Sequence, residues 1–396
     1  MASPSPTRRA LGRTVFALGL TSLFNDIGSE MVFPLLPAFL ATLGAGPAFL
    51  GLVEGAADAT ASLVKYHSGA WSDRAASKKP LVVFGYAVGA AVRPLVSFAF
   101  APWHVLAVRL TDRVGKGVRS APRDALIASS VDAADAGRAF GFNRAMDHAG
   151  AVIGPLLATV LLALGLPLRT VFLATVVPGV LAVAASLWAK EPAATARPAG
   201  LTPPTSTPLP ARLKALLAIF GLFALGNSSD AFLLVRAKEV GMDNATLPLL
   251  WMALSVSKMV FSAVGGRWVD RGGKSVPIQV GWAVYAASYL ALAWADSPAQ
   301  VVAVFLVYGA FNGLADPAEK ALIRALVDAD TRGRAYGAYH AVLGAAAIPA
   351  GLLTGQLWAA VGPRVALGTG AAIAVVSAVL LTAWSRAAPP AATPTG

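Results

Sequence analysis

The feature that most constrains this chain is a series of apolar segments, each about 20 residues long, repeated along nearly all of it. A helix needs about 20 apolar residues to cross the hydrocarbon core of a bilayer. Charged residues make up 13% of the chain, whereas soluble globular proteins carry about 25%. The sequence therefore predicts an all-α integral membrane protein. Disordered and collagen-like chains are excluded, as is a disulfide framework, because the chain contains no cysteine.

The apolar segments predict twelve transmembrane helices in two pseudo-symmetric six-helix bundles. The predicted units are an N-terminal bundle over 1–189, a proline-rich cytoplasmic linker over 190–212, a C-terminal bundle over 213–385 and a disordered tail over 386–396. The predicted spans are 14–42, 48–70, 81–100, 104–127, 139–163, 169–189, 213–236, 246–268, 277–295, 299–325, 334–360 and 364–384.

Basic residues are distributed unevenly among the predicted loops. The net charge is +12, and in a soluble protein such an excess would indicate nucleic acid binding. Here the Lys and Arg residues collect in the linker and in the loops after even-numbered spans, whereas the other loops hold little beyond Arg169, Lys238 and Arg364. This bias predicts a protein of the cytoplasmic (inner) membrane with both termini in the cytoplasm. The expected partners are the lipid bilayer and a small-molecule or ion substrate, not nucleic acid, and we expect a monomer.

The two halves of the sequence repeat each other. The sequence GAWSDR at 69–74 recurs as GRWVDR at 266–271, an offset of 197 residues. The sequence GRAFG at 137–141 recurs as GRAYG at 333–337, an offset of 196 residues. The two matches occur in the same order along the chain and at almost the same offset. This indicates an internal duplication, which is typical of secondary transporters.

Twelve spans in two repeated halves, with these loop sequences, resemble the major facilitator superfamily over essentially the whole chain. The segment after span 2 is similar to that family's gating motif, Gly-x-x-x-Asp-Arg-x-Gly-Arg-Arg. The resemblance implies that this segment and its second copy hold helix ends together until the transporter opens; a solvated loop that only anchors topology is the alternative. The candidate gating residues are Gly69, Asp73, Arg74, Gly266, Asp270 and Arg271.

Two further motifs lie inside spans. Span 4 contains Arg113-x-x-Lys116-Gly117, similar to the family's Arg-x-x-Gln-Gly motif with Lys in place of Gln. Span 5 contains GAVIGP at 150–155, similar to a motif associated with family antiporters, although Ala158 stands where a glycine is expected. Sequences around 25–31 and 115–127 resemble a bacterial branch that includes nickel-resistance exporters.

Charged residues inside the spans are the other unusual feature. A charge at the centre of a bilayer costs from about 2.5 to more than 10 kcal/mol, so such residues face a cavity or a partner. Span 1 carries Asp26 and Glu30 on one helix face, and span 4 carries cations at steps of three and four residues. We expect the acids of spans 1 and 2 to lie against the cations of span 4. The candidate cavity residues are Asn25, Asp26, Glu30, Glu54, Asp58, Arg109, Arg113, Lys116, Arg119, Arg144, Asp147, His148, Asn227, Asp230, Asn312 and Asp316.

These charges have two interpretations. They form a structural ion-pair network, or part of the network binds substrate or carries a proton. A carboxylate between a low dielectric and a nearby Arg is suited to taking up and releasing a proton as its surroundings change. Asp26 and Glu30 are the first candidates, because span 1 lines the cavity in the family that the chain resembles. The other candidate proton carriers are Asp58, Asp147 and His148.

The predicted function is secondary active transport of a small solute by alternating access, driven by the proton gradient, with no cofactor and no dedicated metal site. The span 5 motif favours efflux over uptake. An uptake carrier or facilitator of the same fold and a non-transporting membrane sensor are the alternatives. An enzyme is not expected, because the sequence contains no pair of metal-ligating His residues, nucleophile elbow or phosphate-binding loop. Charges of both signs are nearly balanced, so the sequence does not choose the substrate's charge.

Overall fold

The computed structural model describes residues 12–75, 77–132, 135–191, 208–271, 274–328 and 331–387, and within these ranges the regular structure is entirely helical. The first half contains α1 (Arg13–Val32), α2 (Leu36–Thr42), α3 (Pro47–Arg74), α4 (Lys79–Val92), α5 (Pro102–Ser129), α6 (Ala136–Ala163), α7 (Leu168–Ala174) and α8 (Val176–Trp188). The second half contains α9 (Ala211–Gly226), α10 (Ala231–Glu239), α11 (Thr246–Asp270), α12 (Ser275–Ala293), α13 (Pro298–Ala325), α14 (Arg332–Ala360) and α15 (Pro363–Arg386).

These helices make up twelve spans, as the apolar segments predict. The pairs α1 and α2, α7 and α8, and α9 and α10 form spans 1, 6 and 7, and each remaining helix is one span. The 3₁₀ segment Phe33–Leu35 joins α1 to α2, and the 3₁₀ segment Arg93–Phe98 extends α4 at the end of span 3. Most of the predicted linker, 192–207, and the predicted tail from residue 388 lie outside the described residues.

Proline explains three of the four departures from continuous helix. Pro34 and Pro94 lie in the first turns of the two 3₁₀ segments, and Pro178 follows the break in span 6. Proline has no N–H to donate to the preceding turn, so the helix bends or tightens there. Span 7 breaks between Asn227 and Asp230 without any proline, and the backbone leaves the helical region at Asn227. The predicted span over 213–236 is therefore present, but as two helices, α9 and α10.

The two halves pack by the same plan. In the first half α1 packs on α6 and α8, α5 packs on α3 and α4, and α4 packs on α8. In the second half α9 packs on α14 and α15, α13 packs on α11 and α12, and α12 packs on α15. Every one of these contacts has its counterpart in the repeat. The structure therefore confirms two pseudo-symmetric six-helix bundles.

The polar residues are concentrated in a few spans. In the described part of the chain, nine spans are long and apolar enough to cross a membrane by themselves. Spans 1, 2 and 4 are the remaining three, and they carry most of the charges predicted to lie inside the protein. These three spans pack against apolar spans 3, 5, 6 and 11. The bundle therefore encloses the helices that lipid alone would not accept.

The bundles meet along α3 and α14 and along α6 and α11. Glycine permits this contact: a Cβ atom built on Gly51 would lie 2.0 Å from the carbonyl oxygen of Gly351, and one on Gly55 would lie 2.6 Å from that of Ala347. We call the side holding the linker and the loops after even-numbered spans the linker side, and the opposite side the far side. The glycine contacts lie in the half of the interface nearer the far side, where α10 also packs on α2.

Candidate functional site

A series of connected cavities lies between the two bundles. A cavity of about 270 Å³ and one of about 310 Å³ share Asp58 and Arg113 in their walls, and together they are called the central cavity. A larger space of about 660 Å³, the mouth cavity, shares Lys65 and Lys116 with the central cavity. Its wall extends to Asp124 near the end of α5, so the path opens towards the linker side.

The cavities collect most of the predicted site residues from six different spans. Glu30, Arg109 and Asp316 do not line them. The residues that do are Asn25, Asp26, Glu54, Asp58, Arg113, Lys116, Arg119, Arg144, Asp147, His148, Asn227, Asp230 and Asn312. The structure thus brings them into one continuous space, and their roles in transport remain predictions.

Glu54 and Arg109 form a buried ion pair between spans 2 and 4. One guanidinium nitrogen of Arg109 donates to both carboxylate oxygens of Glu54 at 2.8 Å. The side chains are only 2% and 8% exposed. An acid of span 2 therefore lies against a cation of span 4, as expected. Arg109 lies outside the cavity walls and its charge is neutralised by Glu54, so the pair joins span 2 to span 4 beside the cavity.

A second buried network joins spans 1, 3 and 4. Arg93 donates to Asp112 at 2.9 Å and to the backbone and side-chain oxygens of Asn25, both at 2.9 Å. Arg119 donates to the same Asn25 side-chain oxygen at 3.1 Å. Sequence reasoning missed Arg93 and Asp112. A lone Arg next to Pro94 at the end of an apolar span was the available signal, because a charge there requires a partner.

The carboxylates of Asp26 and Asp147 line the mouth cavity from spans 1 and 5. The two spans touch here, since a Cβ atom on Gly150 would lie 2.7 Å from Cβ of Asp26. Asp26 accepts a hydrogen bond from Asn25 at 2.8 Å, and Asp147 forms a 3.7 Å ion pair with the exposed Arg144. Among the described residues Asp26 has no ion pair within 4.0 Å. Water entering from the linker side therefore reaches both carboxylates.

Glu30 connects the two bundles directly. The indole N–H of Trp251, on span 8, donates to the Glu30 carboxylate at 2.5 Å. The rings of Phe33 and Trp251 pack with their centroids 4.6 Å apart beside this bond. Glu30 was predicted to line the cavity next to the cations of span 4. It does not line the described cavities, but its carboxylate binds Trp251 of span 8, whose side chain lines the 270 Å³ cavity.

The second bundle contributes a neutralised acid and a group of tyrosines. Asp230 lies at the break in span 7, where it accepts from Lys258 at 2.6 Å and from the hydroxyl of Tyr308 at 2.8 Å. Tyr285 donates to the carbonyl of Gly226 at 2.7 Å, just before the break. These bonds hold the interrupted backbone of span 7 beside the central cavity. Asp316 is exposed on α13, outside the walls of the described cavities.

The predicted gating segments lie at helix ends. Gly69, Asp73 and Arg74 belong to the last turns of α3, and their side chains lie outside the described residues. The same holds for the Asp270 side chain at the end of α11, whereas Gly266 has open space around its Cα and Arg271 is exposed. Their gating role therefore stays a prediction. Both segments extend the helices beyond the predicted ends at 70 and 268.

An acid just outside the spans holds the start of α4. The Glu191 carboxylate accepts from the backbone N–H of Lys78 at 2.8 Å, from that of Lys79 at 3.2 Å and from the hydroxyl of Ser77. Partial burial raises the pKa of the Glu191 carboxyl, but these hydrogen bonds outweigh burial and the net pKa is lowered. The end of span 6 is thereby attached to the loop between spans 2 and 3.

The fold and the sequence match known transporters. The family model of the Major Facilitator Superfamily matches residues 18–235 and 215–396. The chain is 30% identical over 380 residues to the uncharacterized MFS-type transporter MJ1317 of Methanocaldococcus jannaschii, which is 94% of this chain and 95% of that protein. It is 31% identical over 155 residues to the multidrug resistance protein MdtH of Yersinia enterocolitica, 39% of this chain and 38% of that protein. The solved structure of the nucleoside transporter NupG superposes with a TM-score of 0.73 at 16% identity, covering 95% of this chain and 100% of that chain. With both halves matched in sequence and fold, the chain belongs to the Major Facilitator Superfamily and is a multi-pass membrane transporter.

Proposed function

We propose that this protein is a proton-coupled secondary transporter that exports a small solute from the cytoplasm by alternating access. One observation carries the proposal: both bundles line a cavity that is closed at the far side and open at the linker side. A transporter of this kind exposes one site to either side in turn by moving one bundle against the other. The structure is then its linker-side-open state.

Orientation follows from the loop charges. In the described ranges the linker side holds Lys78, Lys79, Lys190, Lys214 and other basic residues. Because Lys and Arg collect in cytoplasmic loops, the linker side is assigned to the cytoplasm of a cytoplasmic membrane. The open cavity then faces the cytoplasm, where an exporter collects its substrate.

Proton coupling is assigned to Asp26 and Glu30. Asp26 lines the mouth cavity without a cation bound to it in the described residues, so it can exchange protons with water from the linker side. Glu30 accepts the Trp251 N–H that joins the bundles. A hydrogen bond to an ionised carboxylate is roughly twice as strong as one between neutral groups. Protonating Glu30 therefore weakens the closure of the far side, and proton loss restores it.

Export is supported by the GAVIGP segment of span 5 and by the partial similarity to the multidrug resistance protein MdtH. Uptake of a solute together with a proton could use the same cavity and carboxylates, with solute and proton both moving into the cytoplasm. The two directions predict opposite proton movements, and one assay separates them.

The test uses inside-out membrane vesicles with an acidic lumen, read with a pH-sensitive dye. Ni²⁺, ethidium, benzoate and glucose are added separately as probes. We expect one probe to release lumenal protons with the wild-type protein. Asp26→Asn and Glu30→Gln should each abolish that release, because each removes a proton-binding carboxylate.

Asp328→Asn is the matched control, since Asp328 is an exposed linker-side carboxylate outside the cavity walls. It should release protons as the wild type does. Undiminished release in both Asp26→Asn and Glu30→Gln would reject these residues as the proton carriers. Accumulation of a probe by right-side-out vesicles, together with proton entry, would establish uptake and reject export.

A further inference from the structure

The positive charges of the central cavity are less neutralised than its negative charges. The cavity walls contain the cations Lys65, Arg113 and Lys116 and the acids Glu54, Asp58 and Asp230. Two of the acids are already paired with cations behind the wall, at 2.8 Å and 2.6 Å. Of the acids in these walls, only Asp58 has no ion pair within 4.0 Å among the described residues, and none of the three cations has one there either. The sequence, where acids and bases appeared balanced, could not reveal this excess.

The helix packing brings the cations together. Arg113 and Lys116 are three residues apart, on one face of α5. Lys65 approaches from α3, because a Cβ atom on Gly117 would lie 2.5 Å from Cβ of Val64 and the two helices are therefore in close contact there. All three side chains reach the wall of the same 310 Å³ cavity.

Hydrogen-bond donors are also left without acceptors in this cavity. The Nε of Arg113 and the Nδ2 of Asn312 are buried and have no partner among the described residues. Both residues line the 270 Å³ part of the central cavity, one from each bundle. Buried polar groups in native proteins nearly always have a partner, so two unpartnered donors on residues that line one space favour a ligand that supplies acceptors there.

Three aromatic residues also line that space. Phe33, Trp251 and Phe311 line the 270 Å³ part together with the polar residues. Such surfaces suit the organic portion of a ligand, which a bare inorganic ion lacks. The central cavity therefore combines cationic, donor-rich residues with a small aromatic surface.

We propose that the central cavity binds a small organic anion, with its carboxylate or phosphate group on Arg113, Lys65 and Lys116 and its apolar portion against Phe33, Trp251 and Phe311. This assignment rests on the proposed transport function, whose substrate class it names. The planar guanidinium of Arg113 is suited to a carboxylate or phosphate, since it presents parallel N–H donors. Asn312 contributes a donor from the second bundle, so the anion bridges the two halves.

The experiment measures binding by the purified protein in detergent, where no proton gradient is needed. The probes are benzoate, phenyl phosphate, the neutral benzamide, the cationic benzamidinium and inorganic phosphate, all at equal ionic strength. We expect benzoate or phenyl phosphate to raise the melting temperature in a saturable way, and benzamide and benzamidinium not to do so. Arg113→Gln should weaken that binding by about tenfold or more, as loss of a charge-assisted hydrogen bond requires.

Lys116→Gln and Arg113→Lys provide independent variants, the second of which keeps the charge and loses the fork of donors. Lys214→Gln is the matched control, because Lys214 is exposed on α9 away from the cavity walls, and it should bind as the wild type does. Absence of stabilisation by both organic anions, or preference for benzamidinium, would overturn the proposal. Equal stabilisation by inorganic phosphate would overturn its organic part.

The two proposals fail separately. Anion binding that depends on Arg113, combined with unchanged proton release in Asp26→Asn and Glu30→Gln, would reject the assigned coupling and keep the substrate class. Ethidium-elicited proton release that is lost in those variants, without any anion binding, would support the assigned coupling and reject the organic anion as the substrate class.

Discussion

At the scale of single residues, this protein accepts charge in its interior where a partner satisfies it. Glu54 and Arg109 are both nearly inaccessible and bind each other through two short hydrogen bonds. Arg123 and Asp124 form a pair of similar length, but the Asp124 side chain is 52% exposed. The two pairs have similar N···O distances, but one is buried and the other is largely exposed to solvent. Their contributions to stability should therefore differ strongly.

We predict that Glu54→Gln destabilises the folded protein by about 3–5 kcal/mol, because it leaves the Arg109 charge buried without a counter-charge. Asp124→Asn should change stability by less than about 1 kcal/mol, as expected for an exposed pair. The double variant Glu54→Gln/Arg109→Met should recover much of the loss, since no unpaired charge remains. Thermal unfolding in detergent measures all three. Equal losses from Glu54→Gln and Asp124→Asn would show that burial does not set the cost.

At the scale of helices and loops, the start of α4 depends on a residue from another part of the chain. Free N–H groups at a helix N-terminus attract a carboxylate. Glu191 supplies it from beyond the end of span 6 and binds the N–H groups of Lys78 and Lys79. This contact connects the loop after the predicted gating segment to the end of the first bundle.

We predict a pH-dependent contribution of Glu191 to stability. Because its folded pKa lies below the ordinary value of 4.5, its stabilisation is complete above that value and disappears as the pH falls through the folded pKa. Glu191→Gln should therefore lower the melting temperature at pH 7, by an amount corresponding to about 1 kcal/mol. Below about pH 4, which is roughly half a pH unit under the ordinary pKa, the difference in melting temperature from the wild type should shrink towards zero.

Melting curves of both proteins between pH 3 and 8, roughly the range in which carboxylates titrate, provide the measurement. Asp328→Asn is the control for general effects of losing an exposed linker-side carboxylate. A gap between wild type and Glu191→Gln that is constant over the whole pH range would contradict the assignment, since the bonds to Glu191 are stronger when its carboxylate is ionised.

The helices themselves were predictable from sequence, and their partners were not. Apolar length and the internal repeat are local or periodic signals, so they yielded the twelve spans and the two bundles. The break in span 7 contains no proline, so no signal in the sequence marks it. The polar residues Asn227 and Asp230 are equally compatible with an uninterrupted helix that lines the cavity. Spacing along one helix places Asp26 and Glu30 on one face but does not say which helix faces it. The bond from Trp251 to Glu30 joins residues 221 positions apart and depends on the packing of whole bundles.

At the scale of the whole molecule, closure of the far side depends on backbone contact between the bundles. Gly51 and Gly351 approach so closely that a methyl group has no room, and the nearest atoms are backbone atoms that cannot rotate away. We predict that Gly51→Ala separates the bundles on the far side and shifts the population away from the linker-side-open state. The added Cβ would otherwise overlap the carbonyl of Gly351.

The absence of native cysteine makes this shift measurable with few changes. Spin labels on Thr42→Cys and Lys238→Cys, which are exposed at the far ends of α2 and α10, report the separation of the bundles there. Gly51→Ala should lengthen that distance, and Gly368→Ala should not, because Gly368 has open space around it. Identical distance distributions in both variants would exclude the glycine contact as the determinant of closure.

The concentration of charge in spans 1, 2 and 4 also has a consequence for biosynthesis. Helices leave the translocon in order, and each buried charge adds about 2.5–3.5 kcal/mol to the cost of partitioning a single helix into lipid. Glu54 emerges 55 residues before Arg109, the cation that neutralises it. Span 2 alone is therefore expected to partition poorly into lipid and to remain beside the translocon until span 4 has been synthesised. The first bundle should insert as one cooperative unit, whereas the more apolar second bundle can enter the membrane helix by helix.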